Sequence, residues 1–332
     1  MLKDSLLQWA ALQYRIAPVS LALPMTPAGL PLRITHLRDL TLDASDHQRA
    51  HPHLSAASAL VCEHGCAYVV ADDEHHLAVY RDLTTPGTLH RLRSGDLPRR
   101  KRARKQRKPD LEALAALPAR AGKGRVLLAL GSGSRANRCA GFAIALERDG
   151  TPSQPHAFDL TPLYRPLIAR FGGLNIEGAM MLGDDLVLLN RGGRDGLPNV
   201  ALYLPLAALL AAMSGSATID AGCRVQHFEL GTLDGVALGF TDAAARADGG
   251  WLFSASAEHS ADSVADGPCR GSVIGHVSAR GDLVAMRCVP GTVKVEGLAL
   301  QPGGASICMV TDADDPAQCA QMLQATWPDV PG

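Results

Sequence analysis

Aromatic residues are scarce: 6 Phe, 5 Tyr and 3 Trp in 332 residues. No apolar run reaches the roughly 18 residues that a membrane-spanning helix needs. Charge of one sign is lacking too, with Lys plus Arg at 32 and Asp plus Glu at 33. That balance gives no long-range steering toward nucleic acid or a membrane surface. The 8 cysteines contain no Cys-x-x-Cys pair, and the chain has neither a Gly-x-Ser-x-Gly elbow nor a Gly-Lys-Ser/Thr loop. Zinc ribbons, elbow-type serine hydrolases and P-loop NTPases therefore have no support. Cys62-x3-Cys66 is half of a metal site without a second half, and reads as a strand–turn position. Cysteines inside apolar runs, such as Cys308, read as free thiols in a reducing compartment. The N-terminus lacks a continuous apolar segment leading to a small-residue cleavage site. Residues 1–31 read as an extension with a short helix carrying Leu6, Leu7, Ala10 and Ala11 on one face. The expected location is the cytoplasm, with the periplasm as the alternative.

Glycine (33) and proline (21) are plentiful, as suits many turns and short strands. Five stretches repeat: Ser58–Val61, Glu112–Ala115, Glu177–Met180, Asp242–Ala245 and Glu296–Ala299. Each opens on a small polar or acidic residue and continues with small and apolar ones. Their first residues are 54, 65, 65 and 54 apart. A period of that size points to copies of one supersecondary unit.

Strand-like runs follow each stretch, four to a copy: the meander of one propeller blade. Blades are expected near 55–98, 109–160, 174–230, 239–288 and 293–327. The last lacks a fourth strand, and a strand over 32–42 is unassigned. Pairing the two closes the ring and removes a free sheet edge. The sequence thus predicts an all-β chain, a five-bladed β-propeller of four-stranded antiparallel sheets over 32–327. Six blades are the alternative, if 32–54 forms a blade of its own.

First strands line a propeller's channel, so Glu112, Glu177, Asp242 and Glu296 are expected around one axis, with Ser58 in the fifth place. These four carboxylates are the candidate catalytic and metal-ligating residues. Like charges so close raise one another's pKa unless a cation offsets them. A hard ion such as calcium would accept the all-oxygen set. Lys108, Arg138, Arg191, Glu258, Lys294 and Asp312 are the candidate substrate-binding residues, with a small anionic molecule as the ligand. The competing reading makes the same groups clasps between blades. Residues 99–108 are eight-tenths basic. No aromatic residue interleaves to stack on bases, so the run reads as a mobile, solvated loop rather than a nucleic-acid patch.

Several segments together resemble a family of bacterial propeller proteins: 108–114 (Lys-Pro-Asp-Leu-Glu-Ala-Leu), 130–134 (Leu-Gly-Ser-Gly-Ser), 174–179 (Leu-Asn-Ile-Glu-Gly-Ala), 239–244 (Gly-Phe-Thr-Asp-Ala-Ala), 271–275 (Gly-Ser-Val-Ile-Gly), 294–298 (Lys-Val-Glu-Gly-Leu) and 310–316 (Val-Thr-Asp-Ala-Asp-Asp-Pro). The resemblance spans most of 55–320. That family is in turn similar to phytase-like propellers with esterase-like activity, through the Glu-Gly strand starts. The resemblance implies an acidic channel mouth, calcium dependence and a phosphorylated or ester substrate. A binding propeller without enzymatic activity is the alternative.

Overall fold

The computed structural model describes residues 31–43, 47, 51–118, 124–193, 196–213, 223–259 and 268–327. The helix expected within 1–31 lies outside the described residues. Among those described, no helix is long and apolar enough to cross a membrane.

Strand β1 (Ile34–Asp39) precedes the first full blade. That blade holds β2 (Ala57–Glu63), β3 (Cys66–Ala71), β4 (His76–Tyr80) and β5 (Thr88–Arg91). Helix α1 (Lys101–Arg107) leads to the second blade: β6 (Leu111–Leu117), β7 (Val126–Gly131), β8 (Ala140–Ala145) and β9 (His156–Asp159). Helix α2 (Thr161–Phe171) leads to the third: β10 (Ile176–Leu182), β11 (Asp185–Asn190), β12 (Asn199–Pro205) and β13 (Arg224–Phe228), with α3 (Leu206–Met213) between the last two. The fourth blade adds a short strand, β14 (Thr232–Leu233), to β15 (Val236–Ala245), β16 (Trp251–Glu258), β17 (Cys269–Val277) and β18 (Leu283–Cys288). The fifth has β19 (Val295–Leu300), β20 (Ser306–Thr311) and β21 (Gln321–Thr326), and β1 is its fourth strand.

Five antiparallel sheets thus form the five-bladed propeller. Strand β1 pairs with β21 in the register Ile34↔Ala325 to Asp39↔Gln321. The six-bladed alternative falls, because residues 34–39 complete an existing sheet. Both faces of each central strand are buried between neighbouring blades. Leu127, Leu128, Ala129 and Leu130 of β7 show the result, a continuous apolar run rather than an alternating one. Phe228 at the edge of the third blade packs edge to face or tilted with Phe240, Trp251 and Phe253 of the fourth.

The inner strands carry one shared irregularity. Pairing between first and second strands skips a residue in all five blades: Ser58, Glu112, Glu177, Thr241 and Glu296. A β-bulge leaves one residue unpaired and re-aims its side chain. Immediately after it the strands crowd at the axis. A Cβ on Gly178 would lie 2.8 Å from Asp242 Cα, and one on Gly297 would lie 2.9 Å from the Leu60 nitrogen. These backbone contacts explain the Glu-Gly pairs: the glutamate is the bulge, and the glycine is where two backbones nearly touch.

Candidate functional site

The bulges aim Ser58, Glu112, Glu177 and Glu296 into one cavity of about 260 Å³ at the mouth of the axis. Asp242 is not among its lining residues. It stands one position after the bulge, which in the fourth blade is Thr241. A shift of one residue along a strand turns the side chain to the other side. Asp242 therefore matches Ala59, Ala113, Gly178 and Gly297, not the ring of glutamates. Its Oδ1 accepts the Ala243 N–H at 2.8 Å and its Oδ2 the Leu298 N–H at 2.8 Å. The N–H groups of Leu60 and Ala179 also face it. Burial pushes this carboxyl upward, while the N–H donors from the first, third, fourth and fifth blades hold it down. Thr241 turns away from the mouth, with its hydroxyl 2.7 Å from Ser254 Oγ and 2.8 Å from the Val295 carbonyl.

Two more repeat positions complete the mouth. Two residues before each bulge stand Asp110, Asn175 and Lys294 in the second, third and fifth blades. Directly after the partner of the residue before the bulge stand Asp72, Ser132, Arg191, Ser256 and Asp312. Arg191 donates to Glu177 Oε2 at 3.1 Å, to Ser256 Oγ at 2.9 Å and to Glu258 Oε2 at 3.0 Å, and lies 3.7 Å from Glu296 Oε1. Gly239 makes room for it: a Cβ there would meet Arg191 Cγ at 2.7 Å. Lys294 Nζ lies 3.0 Å from Asp314, 3.2 Å from Glu296, and 3.6 Å from both Glu258 and Asp312. Lys108 bonds Asp72 and also Asp110, the latter at 2.8 Å. Arg138 donates to Asp110 Oδ2 at 2.7 Å and to Ser134 Oγ at 2.8 Å. The structure thus gathers Lys108, Arg138, Arg191, Glu258, Lys294 and Asp312 at one mouth, but every cation among them is bonded to a carboxylate.

Acids outnumber bases there. Eight carboxylates and five basic side chains line the cavity. Burial and this excess together raise several of the carboxyls. Burial first, then the Asp110, Glu177 and Asp72 charges, pushes Glu112 well above the usual glutamate range. Burial raises Glu296 to about 7 and Asp72 to about 6, against the opposing pull of Lys294 and Lys108. Asp312 is raised too, chiefly by burial. Despite burial, Lys108 and Arg138 hold Asp110 below its ordinary value. Glu112 makes no hydrogen bond or ion pair among the described residues. Its carboxylate oxygen lies within 4.8 Å of one from Asp72 and one from Asp110.

Asp110 and Asp314 were not singled out in the sequence, yet both are central here. The usable signal for Asp110 was its place two residues before the bulge, which it shares with Lys294. Both aspartates have positive φ, 56° and 55°. The basic run is also more ordered than expected. Residues 101–107 form α1 rather than a mobile loop. Arg104 donates to Asp73 Oδ2 at 2.9 Å, and Asn137 Nδ2 to the Gln106 and Lys108 carbonyls at 3.3 Å. Lys105 and Lys108 line the cavity from this side.

No curated protein matches the chain by sequence. Among solved structures, the WD40 domain of Neurospora crassa Pan2 is 7% identical with a TM-score of 0.43, covering 92% of this chain and 99% of that one. MPT-4, a mannose phosphorylase from Leishmania mexicana in complex with phosphate ion, is 10% identical with a TM-score of 0.44, covering 89% and 88%. The calcium-binding protein regucalcin from Agrobacterium tumefaciens is 11% identical with a TM-score of 0.40, covering 89% and 94%. Likeness at this level carries nothing about chemistry. Sequence kinship is more direct: residues 53–326 match the family of unknown function DUF6929, to which the chain belongs.

Proposed function

We propose that the axial mouth is a hydrolytic site, assisted by a hard cation such as calcium, for a small anionic phosphoester or an ester or lactone. The observation that carries this reading is Glu112, an unbonded carboxylate facing two others in a cavity with surplus negative charge. The donor set suits a hard cation, since it offers only carboxylate oxygens. The Lys108 ammonium, bonded to Asp72 and Asp110, is a positive charge already accommodated by the same groups. Glu112, Asp110 and Asp72 would hold the ion, with Glu177 nearby. When bound, such an ion polarises an ester or phosphoryl oxygen and lowers the pKa of a bound water.

The chain's own residues supply the rest. Glu296, pushed up to about 7, can take or give a proton at neutral pH. Arg138 and Lys108 fix Asp110 in place. Helix α1 brings positive charge to the rim, where an anionic substrate would arrive. A panel of phosphoesters and lactones, assayed with calcium and with a chelator, tests the assignment. Turnover that requires calcium is expected. Turnover indifferent to the chelator, or none from folded protein across the panel, would overturn it.

One observation favours a second reading, a binding propeller without turnover. Arg191 and Lys294 are held by carboxylates from the third, fourth and fifth blades, as inter-blade clasps would be. On that reading Glu177→Gln lowers stability, and no member of the panel is turned over.

A further inference from the structure

A second cavity, of about 310 Å³, opens at the seam between the first and fifth blades and is lined by Cys62, Cys66 and Cys308. The spacing Cys62-x3-Cys66 does not make these two a ligand pair. Across the β2–β3 hairpin, Cys62 pairs with Ala67 and Glu63 with Cys66. Alternation along a strand therefore places the two cysteines on opposite sides of the sheet. Cys66 packs with the core shared with the second blade, and Cys62 with the core shared with the fifth. There Cys62 packs against the cluster that holds Cys308 of β20, on strands that touch across the seam, and both side chains line the cavity. Both are free thiols.

We propose that Cys62 and Cys308 are a modification site, a thiol pair that closes to an inter-blade disulfide under a two-electron oxidant such as hydrogen peroxide. Interaction between the two thiols holds Cys308 below its ordinary pKa and raises that of Cys62. In one order of events Cys308 attacks first. Its sulfur breaks the peroxide O–O bond, becoming a sulfenic acid, and the released hydroxide takes up a proton. Cys62 sulfur then attacks the sulfenic sulfur, forming the S–S bond and expelling water. Two thiols and one peroxide become one disulfide and two waters. The cavity admits an oxidant of that size. The bond would tie the inner strand of the first blade to the blade that the N-terminal strand completes, so it would fasten the ring beside its closure.

Peptide mapping of the full-length protein tests this. The chain is treated with stoichiometric hydrogen peroxide, remaining thiols are alkylated, and digestion is done without reductant. The expected result is a cross-linked pair of peptides carrying Cys62 and Cys308, loss of two thiols per chain, and reversal by dithiothreitol. A thermal midpoint several degrees higher in the oxidised form should accompany it, and Cys62→Ser should abolish both effects. Recovery of both residues alkylated under conditions that oxidise other cysteines would overturn the proposal. So would Cys62 joined to a different cysteine. The mapping is done on the unsubstituted chain, so it does not depend on how a variant folds.

Discussion

Asp242 accepts the Ala243 and Leu298 N–H groups of the fourth and fifth blades and faces the Leu60 and Ala179 N–H groups of the first and third, so one side chain links four inner strands. Asp242→Asn would turn an amide donor toward backbone donors and leave buried groups unpaired. A loss of about 3 kcal/mol is expected, read by urea unfolding. A cost below about 0.5 kcal/mol would contradict the axial placement. The mouth makes a different forecast, about pH. Glu296 and Asp72 have folded pKa values near 7 and 6, raised from 4.5 and 3.8. Each binds its proton more tightly folded than unfolded. Their contribution is complete below the unfolded value and is lost as pH rises through the folded one. Stability should therefore fall between about pH 4 and 7, and Glu296→Gln should flatten part of that slope. Thermal melting across this range checks it, and a slope of the opposite sign would count against it. Residue roles were the hardest thing to read from sequence. Thr241 and Asp242 are neighbours, and hydrophobic spacing cannot say which is the bulge. Matching acid to acid chose Asp242, whereas the ladder chose Thr241.

Elements were more legible than roles. Runs such as Leu127–Leu130 and Leu186–Leu189 announce central strands, and Gly-containing turns separate them. The glycines of the Glu-Gly pairs were visible, but their cause was not, because close approach at the axis is a property of assembled blades. Gly178→Ala and Gly297→Ala each place a methyl within 2.9 Å of backbone atoms. Backbone at a packed axis cannot move aside as a flexible side chain would, so each change is expected to cost about 2–3 kcal/mol. A melt unchanged from wild type would refute that. The sequence reads as a loop over α1 for a physical reason. Seven residues without a side-chain cap do not make a stable helix alone. Tertiary bonds supply what the sequence lacks, with Arg104 on Asp73 and Lys108 on Asp72 and Asp110. Asp73→Ala should therefore speed tryptic cleavage within 99–108 several-fold while the propeller stays folded. Unchanged cleavage would mean that Arg104–Asp73 does not hold the helix down.

The whole molecule was foreshadowed by one count, five inner strands with three strands in the last copy. Closure through β1 and β21 follows from the cost of an open sheet edge. The mouth depends on that closure, because its residues come from all five blades. Glu258 of the fourth faces Lys294 of the fifth, and Ser58 and Asp72 of the first complete the rim. The central claim is that this shared mouth, with Glu112 at its centre, takes up a hard cation. Calorimetric titration of calcium into the full chain and into Glu112→Gln is its most direct test. The account predicts saturable binding at one site per chain, weakened at least tenfold by the substitution. Equal binding by both proteins, or no binding by folded wild type, would contradict it.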